Sequence, residues 1–250
     1  MNNVHAAQDR PLLSEVMFIA DDFGLDPSTN EAVIRAHREG ALHGASLMMG
    51  QPGTEEAVRL ARENTGLQVG WHLHLCDSTP VTRESWPWGC SPLRAGLGIF
   101  FSSSGRGLMQ REIKAQWDLF QKTGLECAFV NAHHHLHVHP SIHGTLIQVL
   151  PAVFRGWIRM GRPRFFEEKR LFSHSGVVME WAGQSRRRKC RHRLSDTLWG
   201  MDRTFKMNAC EVARAVRVLG AGLHEFIFHP RRASSDPDFL ALMELKAMGF

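Results

Sequence analysis

The chain has 250 residues, 43% hydrophobic and 22% charged, a balance that fits a globular protein with one sizeable core. Its net charge is +5 and its pI near 9.2, but much of the excess sits in one run, so charge alone does not argue for a nucleic-acid partner. Five scattered cysteines without a C-x-x-C pair exclude a disulfide framework and a Cys-rich zinc site, and no apolar run approaches the roughly 18 residues that span a bilayer.

Residues 1–12 are polar and are expected as a loose tail, without the basic and apolar regions of a secretory signal. Together with the reduced thiols this gives a cytoplasmic expectation. Val16–Ala20 reads as a buried strand closed by Asp21, Asp22, Phe23 and Gly24. Neighbouring side chains of a strand point to opposite faces, so both carboxylates can serve one site only if the strand ends there, with Gly24 permitting the bend. Ser28 to Glu31 has capping-box spacing and opens a helix that Gly40 ends. Leu42–Met49 reads as a second strand, and Thr54–Glu63 as a helix. Leu67–Leu75 alternates as a third strand, placing His72 and His74 on the face opposite Trp71 and Leu73.

Cys76–Gly107 shows no sustained period and is expected as a long loop. Its Trp86, Trp88, Phe100 and Phe101 suit stacking on a sugar or an apolar ligand, or packing on the core. A helix over Leu108–Lys122 and a short strand over Glu126–Val130 follow. The stretch Asn131–Pro140 then places five of the chain's 15 histidines within ten residues. His133, His135, His137 and His139 alternate with other residues, so an extended backbone would put all four on one face. Neutral imidazole is the commonest side-chain metal ligand, and α/β folds build sites at the C-terminal ends of strands.

Pro140 suits the first position of a further helix. Gly156–Met160 reads as a strand. Arg186–Arg193, where seven of eight positions are Arg, Lys or His, reads as a solvated loop or a contact to anionic lipid. Asn208 caps a helix to Leu219, His224–His229 forms a late strand, and Phe239–Met248 a last helix.

Strands that alternate with helices predict one α/β domain over 1–250 with a parallel sheet, closed or partly closed as a barrel. Asp21, Asp22, His72, His133 and His229 lie at or near the C-terminal ends of four different strands. One carboxylate and two imidazoles from separate elements form a catalytic metal set with an open position, suited to zinc and open to manganese, cobalt or magnesium. The second Asp is then free to act as a base.

Ala20-Asp-Asp-Phe-Gly-Leu25 with Asn30, Ala45-Ser-Leu-Met48, Val69-Gly-Trp-His-Leu73, Asn131-Ala-His-His-His-Leu-His-Val-His-Pro140 and Phe226-Ile-Phe-His-Pro230 occur in order. In this the chain resembles the YdjC-like carbohydrate deacetylases, most closely their hopanoid-biosynthesis-associated branch. The resemblance implies a seven-stranded β/α-barrel-like fold of the glycoside hydrolase/deacetylase type. It also implies removal of an N-acetyl group from an amino sugar or amino-sugar-bearing glycolipid, with one divalent ion, magnesium or zinc. Asp22, His72 and His133 would hold the metal, Asp21 would act as the base, and His229 would protonate the leaving amine. His135, His137, His139, Asn30 and Arg159 would line the pocket or orient the ligands. The family's V-R-L-P-R-E segment is replaced here by Ile158-Arg-Met-Gly-Arg-Pro163, which lacks the acid. A lipid-borne substrate would bring the chain to a membrane surface through Arg186–Arg193. Two other readings use the same residues: a metal phosphoesterase, with a bimetallic cluster, and a non-enzymatic His-rich metal-binding protein.

Overall fold

Among the described residues nine strands, all paired in parallel, make a single sheet in the order β6-β8-β9-β1-β2-β3-β4-β5-β7. They are β1 (Ser14–Phe23), β2 (Gly44–Leu47), β3 (Gln68–Leu73), β4 (Phe129–Ala132), β5 (Trp157–Ile158), β6 (Arg162–Arg164), β7 (Arg193–Leu194), β8 (Thr197–Trp199) and β9 (Gly222–Phe228). The computed structural model describes residues 14–166, 187 and 190–250, so the expected tail over 1–12 lies outside the described residues, as do Arg186, Arg188 and Lys189 of the basic run.

β5 and β6 stand seven places apart in the strand order, yet only Arg159, Met160 and Gly161 separate them in the chain. That link reaches roughly 14 Å at most, whereas seven spacings of a flat sheet need roughly 34 Å. The sheet therefore curls round on itself. The count is nine rather than the expected seven because 159–161 and 195–196 interrupt two runs of extended chain. Hydrogen bonds continue through both breaks, from Ser195 N–H to Ile158 O and from Arg162 N–H to Asp196 O.

The strand period of two sorts side chains between the inside of the curl and its outside. Met17, Ile19, Phe129, Trp157 and Leu223 form a small inner core. The opposite parity, including Phe18, Ala20, Leu47, Trp71, Val130 and Phe226, joins the helices in the larger outer core. Gly70 belongs to the inner layer for a steric reason: a Cβ there would lie 2.3 Å from the Phe129 ring. Two residues further along each strand the inner layer turns polar, with Asp21, Ser46, His72, Asn131, Arg159 and Glu225, each at most 2% exposed.

The helices that cover the outside are α1 (Pro27–Arg38), α2 (Thr54–Glu63), α3 (Pro92–Phe101), α4 (Ser103–Lys122), α5 (Pro140–Val149), α6 (Ala209–Val216) and α7 (Pro237–Ala247). Asp26, not Ser28, caps α1, its side chain accepting from Thr29 N–H at 2.8 Å. The loop expected over 76–107 instead contains α3 and the start of α4; Ser91 accepts from Arg94 N–H and Pro92 takes the first position of α3. Within that segment Trp86 and Trp88 stack on each other at 5.7 Å and are buried, so neither is a free platform for a ligand.

Candidate active site

The polar layer opens at the C-terminal ends of the strands, and the bend in β1 decides its chemistry. β1 does not end at Asp21 as expected but continues to Phe23. Its register with β2 slips between Ala20 and Phe23, and Asp22 has φ +65°. This bulge, and not Gly24, lets two consecutive carboxylates serve one site. A left-handed Asp costs on the order of 1 kcal/mol, a strain that structures keep where the geometry is used.

Asp21 points into the curl and accepts from three donors. Its Oδ1 accepts from Ser46 Oγ at 2.5 Å and Asn131 Nδ2 at 3.1 Å, and its Oδ2 accepts from Arg159 at 2.6 Å. Burial alone would raise its pKa, but Arg159, then His72 and His229, overcome it and hold the carboxyl far below its usual range. Arg159 is itself wholly buried and also meets Glu225 at 3.3 Å, which accepts from Trp157 Nε1 at 2.6 Å.

These contacts fix a tautomer. A carboxylate only accepts, so Asn131 must turn its NH2 to Asp21 and its oxygen to His72. His72 Nδ1, 2.6 Å from that oxygen, must then carry the proton. Its Nε2 is left with a lone pair aimed at the mouth of the curl. Second partners of this kind orient metal-ligating histidines in general.

At the mouth, Asp22 Oδ1 lies 3.4 Å from His72 Nε2 and 2.9 Å from His133 Nδ1. One ligand atom from each of the three residues lies within 4.8 Å of the others. Asp22 Oδ1 and His72 Nε2 are buried and lack an aligned hydrogen bond. A buried acceptor facing a buried lone pair is unfavourable unless a cation joins them, so the residues fit a divalent ion. The neighbouring His133 and His72 rings keep Asp22 well below its ordinary pKa despite burial, and the nearby Asp22 carboxylate raises His133 against its own burial. The other oxygen of Asp22 accepts from Arg231 at 2.9 Å.

The histidine run does not extend the strand. β4 stops at Ala132, and residues 133–138 form a 3-10 segment in which His134 and His135 have φ +52° and +55°. The four alternating imidazoles therefore do not share a face. His133 turns to Asp22, and His134 meets Asp77 at 3.2 Å. His135 is half-buried beside Arg159, and His137 gives its Nε2 proton to Arg159 O at 2.5 Å. His139 packs against Phe100, with centroids 5.9 Å apart. Asn30 is fully buried and contacts no open surface; it accepts from Gly24 N–H and donates to Gly53 O and Glu56, bracing the turn after Asp22. His229 stands within electrostatic reach of both Asp21 and Asp22. Its ring packs on Phe205 at 5.4 Å, and its backbone N–H donates to Asp238 at 2.7 Å. Within the basic run, Arg193 pairs with Glu15 and lies over Trp157 at the N-terminal ends of the strands, the rim opposite this site.

Sequence reasoning missed Arg231, Ser46 and the carboxylate link from Asp21 to Arg159. Arg231 had a local signal, since it directly follows His229-Pro230. The other two are contacts between strands that no single segment shows.

Three histidines held in desolvating surroundings make stability pH-dependent. Burial pushes His74 and His135 down to about 3, and His137 well below its ordinary value, where burial is aided by His135 and Arg159. Their folded pKa values lie below the unfolded one near ~6.5, so the unfolded chain binds more protons and stability falls as pH drops below that value. Each group contributes a slope of up to roughly 1.4 kcal/mol per pH unit, together on the order of 5 kcal/mol between pH 7 and 5. Asp21 and Asp22 extend the loss at lower pH, while His133, raised by Asp22, and Glu225 and Asp238, raised by burial, act in the opposite sense. Urea unfolding of the metal-free chain is expected to show a midpoint that drops steeply over this interval. A flat profile would contradict neutral, desolvated imidazoles.

The profile of the family described as YdjC-like protein matches residues 15–247. A carbohydrate deacetylase of Brevibacillus brevis is 38% identical over 125 residues, covering 49% of this chain and 50% of that protein. A carbohydrate deacetylase of Vibrio cholerae serotype O1 (strain M66-2) is 32% identical over 145 residues, 54% of each. The chain thus aligns with about half the length of the curated relatives it matches. Among solved structures, a candidate cellobiose-phosphate cleavage protein of Enterococcus faecalis V583 superposes with a TM-score of 0.60 at 15% identity, over 93% of this chain and 90% of that one, which shows a shared fold.

Proposed function

The chain belongs to the YdjC-like family, and from that premise we propose that it is a divalent-metal-dependent hydrolase that removes an N-acetyl group from an amino sugar. The observation that carries this reading is the meeting of Asp22, His72 and His133 at one point, with an ionised Asp21 next in the chain. When bound there, a divalent ion such as zinc or magnesium would polarise an acyl oxygen and acidify nearby water.

The chain's own groups supply the rest. A carboxylate has about four lone-pair positions, and Ser46, Asn131 and Arg159 use three of those on Asp21. The one left on Oδ2 accepts the proton of the attacking water. Arg159 keeps Asp21 ionised, and so able to accept a proton, across the working pH range. Water oxygen adds to the acyl carbon, the C–N bond breaks, and His229 gives a proton to the departing amine. Phe205 packs on the His229 ring, and Asp238 holds the backbone N–H of His229. The finer reading is that the amino sugar is lipid-borne, as in the hopanoid-associated branch.

One observation favours the phosphoesterase alternative. Asp77, His133 and His134 form a second group of ligand atoms that shares His133 with the first. Two-ion sites are common in phosphate-ester hydrolysis. Titrating the chelator-treated chain with zinc by calorimetry separates the readings: one tight ion per chain is expected. Two tight ions would favour the phosphoesterase, and several weak ones a metal carrier.

A further inference from the structure

Helix α3 presents an apolar surface that the described chain does not pack. Among the described residues nine large hydrophobic side chains are exposed, and four of them, Leu93, Leu97, Phe100 and Phe101, fall on this one helix. Their spacing of i, i+4, i+7 and i+8 makes a single stripe, while Ala95 and Ile99 on the other side are buried. Leu93 is 71% exposed and Phe101 76%. Single exposed hydrophobic residues are ordinary, but a contiguous patch marks an interaction site.

The charge around the stripe is one-sided. Between Ser78 and Arg111 the chain has four arginines and one acid, Glu84; of the acids just outside, Glu112 is buried and Asp77 faces His134. Arg83, Arg94 and Arg111 line a cavity of about 490 Å³ between α3, α4 and the preceding loop, with Trp88 in its wall and no acidic residue among its lining. An apolar stripe bordered by guanidinium groups is the pattern of a helix that lies in the plane of an anionic bilayer surface. Position agrees with that occupant. α3 lies in the connection that leaves the C-terminal end of β3, and Phe100 packs on His139 of the segment that carries His133. It therefore stands on the rim of Asp22 and His133, whereas Arg193 stands on the opposite one.

We propose that α3, with Arg83, Arg94 and Arg111, docks this rim on an anionic lipid bilayer. The inference stands without the deacetylase reading; joined to it, it specifies an amino sugar displayed at a membrane surface. The test is co-sedimentation of the full chain with vesicles of phosphatidylcholine alone and of phosphatidylcholine mixed with phosphatidylglycerol. Binding is expected to the mixed vesicles and not to the neutral ones, and to weaken with salt. The double variant Leu93→Ser/Phe101→Ser is expected to bind at least about tenfold more weakly. Replacing Arg83, Arg94 and Arg111 by Ser is expected to cost roughly fivefold per arginine. Val218→Ser, which removes an apolar side chain 80% exposed elsewhere on the surface, is the control and is expected to bind as the parent does. No binding to mixed vesicles, equal binding to both compositions, or undiminished binding by the α3 variants overturns the proposal. So does self-association of the parent that Leu93→Ser/Phe101→Ser abolishes, which assigns the stripe to a second copy. Acetate release from a soluble sugar is read separately, so failure here leaves the catalytic reading intact.

Discussion

Asp21→Asn is expected to lower turnover by about three orders of magnitude, the scale of a lost general base, while one divalent ion still binds. The amide keeps the shape but cannot take a proton. The variant is also expected to stay folded, because Arg159 keeps a second buried partner in Glu225. Burial raises Glu225, so the inner layer holds one cation between one strongly ionised acid and one that is hard to ionise. Removing Asp21 leaves a one-to-one pair and costs on the order of 2 kcal/mol of hydrogen bonding. Arg159→Met is the contrasting change. It strands two buried carboxylates and is expected to cost roughly 3–5 kcal/mol, with a large fall in melting temperature. Turnover, ion stoichiometry and melting temperature measured together separate these effects. Near-normal turnover in Asp21→Asn would remove the base from the account.

Asp22→Asn is expected to do the reverse, weakening zinc by about two orders of magnitude or more with little change in fold. The carboxylate is the only charged ligand of the three, and its loss leaves two imidazoles with nothing to balance a dication. Asn is the informative replacement because it tolerates the left-handed backbone at φ +65°. The metal-free protein loses two contacts of Asp22, to His133 and Arg231, and gains relief from a carboxylate held at no more than 1% exposure. Calorimetric titration with zinc reads the affinity, and a melting curve checks the fold. If Asp22→Asn kept zinc while Asp21→Asn lost it, the two roles would have to be exchanged.

How far the sequence revealed this site follows from the reach of each pattern. His72 was legible because the alternation read over Leu67–Leu75 is strand alternation from Gln68 to Leu73, which puts it inside with Gly70. Asp21 and Asp22 were legible as a pair at a strand end, but the bulge that turns both to one site is a register slip against β2. Nothing local to β1 encodes it. The histidine run misled in the opposite way. Its period of two describes a face only on extended chain, and the ladder stops at Ala132, one residue before the pattern begins to matter. The turn at His134 and His135 sends successive imidazoles to Asp22, Asp77, Arg159 and Phe100. Helix α3 was missed because its apolar stripe faces outward and its interior carries Gly96 and Gly98, although Ser91-Pro92 supplied a start signal. The parallel α/β class was legible from alternating elements. The division of two strands at 159–161 and 195–196 was not, since it depends on where the curl bends.

The most direct test of the central claim is acetate release from a panel of soluble N-acetylated amino sugars, assayed with zinc or magnesium and after chelation. At least one sugar is expected to yield acetate and free amine in equal amounts, with the activity lost on chelation, restored by the ion, and absent in Asp22→Asn. Acetate release that survives both chelation and Asp22→Asn, or phosphate ester cleavage with no acetate from any sugar, would contradict it.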